Sequence, residues 1–183
     1  MEQKLVAIGA IRIGEFFFKR RIFDYPDMRL DKDHSWLRLR DESDKVTLSF
    51  KRRFGVKSSD GLTSDDGMQE FEITVSDYKT AGDIILQLGL VEKNARENKR
   101  TKYRKGNVEF DLENCPRLNP YMEIEGKSWA DVDQAILELG LDKNEAKRFS
   151  TKQIYALAGI NESDYRYMGF DTFIKKDGTE ESA

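Results

Sequence analysis

The stretch Tyr121-Met122-Glu123-Ile124-Glu125 decides how this chain is read. Its period-two alternation puts Tyr121, Glu123 and Glu125 on one face of a strand and Met122 and Ile124 on the other. Two carboxylates two residues apart on one strand face repel each other. They stay together through a cation, through basic side chains opposite, or through bulk water. Other segments supply the basic partners. In 36–40, Leu37 and Leu39 oppose Arg38 and Arg40, and in 46–52, Val46, Leu48 and Phe50 oppose Thr47, Ser49 and Lys51. In 70–75, Phe71, Ile73 and Val75 oppose Glu70, Glu72 and Thr74. Residues 98–103 put Arg100 and Lys102 on one face, and 107–112 set Glu109 and Asp111 opposite Val108, Phe110 and Leu112. Residues 16–24 form an aromatic and basic run that ends before Pro26.

Between these segments a short pattern occurs three times: Leu5 to Ala10, Ile85 to Leu90 and Ile136 to Leu141 each close an apolar-periodic segment with a glycine. A glycine there takes the left-handed conformation that ends a helix. The predicted helices are 1–9, 77–88 and 128–139, with Asp77 and Ser128 as N-caps, and a fourth spans 151–158, capped by Ser150 and stopped by Gly159. Residues 55–68, rich in Gly, Ser and Asp, read as a flexible connection between two strands. The polar tail from Lys175 to Ala183 reads as disordered.

Two architectures satisfy strands with one apolar and one charged face. Either an open antiparallel sheet packs its apolar face on the helices and shows its charges to water, or the sheet closes with the charges inside and the helices outside. Pattern alone favours the open sheet. The residue types favour the closed one. Basic side chains pair on one face (Arg38 with Arg40, Arg100 with Lys102), and so do acids (Glu70 with Glu72, Glu109 with Asp111, Glu123 with Glu125). Such like-charge pairs cost stability on a solvated face. In a lumen they suit a polyphosphate, gripped by arginine forks, and a hard Mg²⁺ or Mn²⁺ ion that takes carboxylate oxygens.

Composition limits the alternatives. The chain has 183 residues, enough for one domain with a real core, and is 38% hydrophobic and 36% charged. Its 31 basic residues nearly balance 34 acidic ones, so no global basic field for nucleic acid exists, and a nucleic-acid role for the aromatic and basic run Phe16 to Arg21 ranks last. One cysteine, Cys115, excludes an internal disulfide, and one histidine, His34 in a polar loop, excludes multi-histidine metal sites. No apolar run reaches the roughly 20 residues of a membrane span and no signal pattern opens the chain, so a cytoplasmic protein is expected.

In order, these residues resemble the CYTH family, which covers class IV adenylyl cyclases, thiamine triphosphatases and inorganic triphosphatases, also called triphosphate tunnel metalloenzymes. The matching stretches are Phe23 to Asp27 followed by Leu30, Trp36 to Arg40, Val46 to Lys51, Glu70 to Glu72, Lys99-Arg100 with Tyr103, Val108 to Asp111 and Tyr121 to Glu125. The resemblance implies an α+β fold: an antiparallel eight-stranded β-barrel forming a triphosphate tunnel, with helices packed outside. It implies a tunnel domain over 1–160 and a C-terminal extension over 161–183. The implied phosphate-binding residues are Arg38, Arg40, Lys51, Arg100 and Lys102. Glu123 and Glu125 are the implied catalytic residues and, with Glu72 and Asp111, the implied ligands of Mg²⁺ or Mn²⁺. The implied partner is a small triphosphate (ATP, thiamine triphosphate or tripolyphosphate), with hydrolysis or cyclisation as the reaction, or binding alone, and a homodimer as the assembly. Family members open with a strand bearing Glu-x-Glu-x-Lys, whereas Met1-Glu2-Gln3-Lys4 runs straight into the helical pattern of 1–9. The expectation is a chain without that strand, shortened by about ten residues or more on ordinary strand lengths, or deprived of part of its metal site.

Overall fold

The four helices that the sequence predicts end where their glycines put them. After α1 (Glu2–Ala7), Gly9 takes φ 81° and the Ala10 N–H reaches the Leu5 carbonyl at 2.9 Å. Gly140, at φ 63°, closes the α4 helix (Trp129–Glu138) in the same way, with Leu141 N–H donating to the Ile136 carbonyl at 3.1 Å and Gly140 N–H to the Leu137 carbonyl at 2.9 Å. These paired bonds satisfy carbonyls that the helix end would leave without donors.

The computed structural model describes residues 1–54 and 68–183. The connection predicted flexible over 55–68 lies outside the described residues except for Met68, which begins a strand. The elements in order are α1, β1 (Ile11–Asp24), α2 (Arg29–Lys32), β2 (Ser35–Asp41), β3 (Val46–Arg53), β4 (Met68–Val75), α3 (Tyr78–Gln87), β5 (Val91–Lys105), β6 (Val108–Asn114), β7 (Tyr121–Glu125), α4 (Trp129–Glu138), α5 (Thr151–Leu157), β8 (Tyr165–Met168), β9 (Thr172–Lys175) and β10 (Glu180–Ser182). All four predicted helices and every predicted strand are present. β1 and β5 are much longer than predicted.

The described strands form one curled sheet. Its antiparallel path runs β4-β3-β2-β1-β5-β6-β7. One edge of β5 pairs with β1 along its length. The other edge is shared, with Lys99 to Lys105 pairing with β6 and Ala95-Arg96 pairing parallel with β8. The charged faces turn inward, around one cavity. The apolar faces turn outward, under helices except on β4, where Phe71 and Ile73 stay exposed. Leu5, Ala135 and Leu139 from α1 and α4 pack on Tyr103 and Phe110, while Ile85 of α3 packs on Phe23 and Leu39. Burying such side chains stabilises by about 1.5–3 kcal/mol each. The alternation is strict: Phe110 is 0% exposed on the outer side and its neighbour Asp111 only 1% exposed on the inner side.

The Phe23 to Asp27 stretch has a structural task. The buried Asp24 carboxylate accepts from the backbone N–H groups of Tyr25, Leu30 and Asp31 at 2.7, 3.0 and 2.9 Å, fixing the turn that leads through α2 into β2. At the far end of the chain, Ser150 caps α5 reciprocally with Gln153, and α5 carries the fully buried Tyr155 into a second core with Cys115, Tyr165, Met168 and Phe173. Replacing Ser150 by Ala is expected to lower stability by about 1 kcal/mol in urea unfolding. A loss under a few tenths would mean that the packing of Tyr155 alone holds the helix.

The polar tail is not disordered as its composition predicts. β9 and β10 pair antiparallel, and Glu181 of β10 accepts from Arg117 at 2.9 Å, Lys175 at 2.5 Å and Tyr165 at 3.2 Å. Lys175 and Arg117 hold the Glu181 carboxyl down at about 2. Ladder bonds and charge contacts supply the order here, without the apolar burial that composition measures.

Candidate active site

Cross-strand register decides which side chains face one another. Arg20 of β1 sits opposite Arg40 of β2 on one side and opposite Arg96 of β5 on the other, so three arginines form a row across three neighbouring strands. Arg38 and Lys51 extend this basic wall toward β4. Arg38 lies 3.7 Å from Glu70 and 3.5 Å from Glu72, and the Lys51 ammonium lies 2.8 Å from Glu70. Arg40 donates to Glu42 at 2.6 and 2.9 Å and stands over the Phe18 ring. The opposite wall is acidic. Asp111 pairs in register with Glu123, Glu109 with Glu125, and Glu113 with Tyr121. Phe18, 5% exposed, forms the floor between the walls, with Arg40 at 5.1 Å and Arg100 at 5.3 Å from its centroid. The basic row, Glu70 and Glu72, Phe18, and Glu113, Tyr121, Glu123 and Glu125 from the acidic side line a cavity of about 410 Å³, with Asp111 buried just behind it.

The two walls carry unequal strain. Burial, with the charge of Arg96, lowers Arg20 to about 10, and burial, with the charge of Arg40, lowers Arg38 to about 10. Both remain cations at neutral pH, held against their neighbours' repulsion. Their Nε groups, and that of Arg96, are buried with no hydrogen-bond acceptor. A buried donor without an acceptor costs roughly 1–3 kcal/mol, so this wall is built to receive an anion.

On the acidic wall, Arg100 is the shared cation. It donates to Asp111 and Glu113 and, at 3.2 Å, to Glu123. Burial works against its charge, but the three carboxylates outweigh it and raise its pKa. Burial pushes Asp111 up to about 6 against the pull of Arg100, and burial together with the Glu113 charge pushes Glu123 up to about 7. Carboxylate oxygens of Asp111, Glu113 and Glu123 lie within 4.8 Å of one another, and Asp111 Oδ1 is buried without a hydrogen-bond donor. This all-oxygen set fits a hard divalent cation.

A pH dependence follows. In chelator-containing buffer, stability is expected to fall as pH rises from the ordinary carboxylate values, 3.8 and 4.5, through about 6 and 7. Over that window the folded chain keeps protons on Asp111 and Glu123 that the unfolded chain has released, so raising pH favours unfolding. Urea midpoints at pH 5 and pH 8 check the sign. A higher midpoint at pH 8 would contradict it.

All five predicted phosphate-binding residues, and the predicted metal ligands Glu72, Glu123 and Glu125, line this cavity. Asp111 meets Glu123 in the acid cluster, whereas Glu72 lies by Arg38 on the basic side. Lys102 is bonded to Glu109 at 2.8 Å. Three contributors escaped the sequence reading: Glu113, Arg20 and Arg96. Extending the 107–112 alternation by one step would have found Glu113. The run Phe16 to Arg21 is part of β1, with Phe18 and Arg20 lining the cavity.

The sequence matches the model of the CYTH domain over residues 2–153. The chain belongs to the CYTH family. Solved structures share the CYTH fold at low sequence identity. A Pyrococcus horikoshii protein superposes with a TM-score of 0.67 at 18% identity, covering 84% of this chain and 90% of that one. A Vibrio parahaemolyticus protein named as a candidate adenylate cyclase gives a TM-score of 0.65 at 11% identity, covering 85% and 89%. A Hippeastrum protein, named as an adenylyl cyclase candidate with a dominant triphosphatase activity, gives 0.59 at 17% identity, covering 87% and 90%. No curated protein matches the chain in sequence. As a CYTH member it has the curled sheet expected of the tunnel fold, realised here with ten described strands. No described helix is long and apolar enough to cross a membrane.

Proposed function

We propose that this CYTH chain hydrolyses a triphosphate in its cavity with Mg²⁺ or Mn²⁺ as cofactor. The observation that carries the reading is the segregation of charge: Arg20, Arg38, Arg40, Lys51 and Arg96 on one side, and Asp111, Glu113 and Glu123 on the other, of a single cavity. The Hippeastrum relative's triphosphatase activity supports hydrolysis.

Arg38, Arg40 and Lys51 hold the phosphate oxygens. They exchange their carboxylate partners for the substrate and give the buried Nε donor of Arg38 an acceptor. Asp111, Glu113 and Glu123 would hold the divalent ion, with Glu72 and Glu125 lining the cavity beside them. The ion, when bound, neutralises charge on the phosphate oxygens and polarises the phosphorus. Arg100 and Lys102, now bonded to carboxylates, turn to the phosphate oxygens as substrate enters. Glu125, at the exposed end of β7, orients the attacking water and takes its proton as the new P–O bond forms. The terminal P–O bridge breaks and diphosphate carries the electron pair away. Most of the catalysis is positioning and charge stabilisation, as phosphoryl transfer requires.

A second reading, favoured by the Vibrio relative's name, is ring closure: the ribose hydroxyl of ATP attacks the α-phosphorus, the α–β bridge breaks, and pyrophosphate leaves with the electron pair. Product analysis separates the two. With Mg²⁺ and with Mn²⁺, tripolyphosphate, thiamine triphosphate and ATP are offered in parallel. Inorganic phosphate release supports hydrolysis, and a cyclic nucleotide with diphosphate supports cyclisation. Binding with no product would reduce the chain to a triphosphate-binding module. The absence of both binding and turnover would overturn the reading.

A further inference from the structure

We propose that Glu162 sets the length of the phosphate chain this cavity admits, an inference that rests on the triphosphate reading above. Glu162 lies beyond α5, at the start of a short 3-10 turn, Glu162–Asp164. Its Oε1 accepts from Arg96 Nη1 at 2.9 Å and from Arg20 Nη2 at 3.2 Å. Glu162 is 8% exposed and Arg96 only 3%. A segment following the tunnel strands thus delivers an anion onto two arginines that line the cavity.

The position of this ion pair is what matters. Arg40, Arg20 and Arg96 stand in register on β2, β1 and β5. A phosphate chain held by Arg38 and Arg40 and extending along this row ends on two arginines that Glu162, which lines a neighbouring pocket and not this cavity, already holds. The carboxylate already supplies the acceptor that another phosphate would offer, so the additional phosphate gains nothing unless it displaces Glu162. Displacement would leave a buried carboxylate without its cations, which is unfavourable. The carboxylate is also mounted rigidly. Asp164 accepts from Lys176 N–H at 2.9 Å, Asn161 caps the turn through Ser163 N–H at 3.2 Å, and Arg96 stands over the ring of Tyr155, whose hydroxyl donates to the Pro116 carbonyl at 3.0 Å. Meanwhile the Nε groups of Arg20 and Arg96 remain buried without an acceptor, so the pair retains donors for a longer anion once the carboxylate charge is gone.

The test compares affinities for pyrophosphate, tripolyphosphate and tetrapolyphosphate, with Mg²⁺, by calorimetry on the full chain and on Glu162→Gln. For the unaltered chain, affinity should rise from pyrophosphate to tripolyphosphate and then level off. In Glu162→Gln, which keeps the shape and removes the charge, the tetrapolyphosphate-to-tripolyphosphate affinity ratio should rise about tenfold, the worth of roughly one charge-assisted hydrogen bond. A purely structural glutamate would weaken all three ligands alike and leave the ratio unchanged, and that result overturns the proposal. So does an unaltered chain whose affinity climbs as steeply from three phosphates to four as from two to three. This chain-length series decides the matter even if Glu162→Gln does not fold. If the unaltered chain binds none of the three, the triphosphate reading itself falls and this inference falls with it.

Discussion

Replacing Arg100 by Met is expected to destabilise the folded chain by about 3–5 kcal/mol near pH 8, the usual result of removing one partner from a buried charge cluster. Arg100 is shared by Asp111, Glu113 and Glu123, and the first two side chains are only 2% and 3% exposed. Without it, three carboxylates within 4.8 Å face one another with only Lys102, bonded to Glu109 and 4.0 Å from Asp111, as a nearby cation. The folded chain would relieve the repulsion by taking up protons, so the loss should shrink at pH 5. It should also shrink at pH 8 when Mg²⁺ is added, because the ion replaces the lost positive charge. Urea unfolding under these three conditions measures all of this. A loss below about 1 kcal/mol that depends on neither pH nor Mg²⁺ would show that the three acids are solvated and do not form a site.

Replacing Arg38 by Ala should act on turnover instead of stability. Its partners Glu70 and Glu72 are 37% and 33% exposed and lie at 3.7 and 3.5 Å, and Lys51 still holds Glu70 at 2.8 Å. The change also relieves the repulsion from Arg40 that lowers the Arg38 pKa. The melting temperature should therefore move by only a few degrees, as for a ΔΔG of about 1 kcal/mol. Tripolyphosphate turnover should fall by about 100- to 1000-fold, the loss seen when one fixed donor to developing charge is removed. Unchanged turnover with an intact fold would remove Arg38 from the phosphate wall.

Tyr121 to Glu125 was legible because β7 has a clean alternation, and the interior strands β2 and β3 share that alternation. Wherever one face is apolar and the other charged, period two reads directly as outside and inside. β5 was only partly legible because its outer face is polar at Glu97 and Lys99. Glu97 accepts from the Phe170 N–H at 3.2 Å, and Lys99 stands over the Phe170 ring, so a polar partner covers that face and no apolar stripe marks the strand. Arg96 was missed for that reason. Arg20 was hidden because β1 mixes phenylalanine and basic residues on both faces, with Phe18 inside and Phe23 outside. Glu162 could not be found from local pattern at all. Its partners lie 142 and 66 residues away, and only the tertiary fold brings them together.

Each wall is now neutralised by its own counter-charges, Glu70 and Glu72 on Arg38 and Lys51, and Arg100 on Asp111, Glu113 and Glu123, and both change partners for a phosphate chain and a divalent ion together. The most direct test is the thermal stabilisation of the chain by tripolyphosphate alone, by Mg²⁺ alone, and by both. Each ligand that binds only the folded state raises its stability. Because phosphate takes the arginines while the ion takes the carboxylates they release, the account predicts a joint stabilisation larger than the sum of the two separate ones. A strictly additive result, or no stabilisation by tripolyphosphate under either condition, would contradict it.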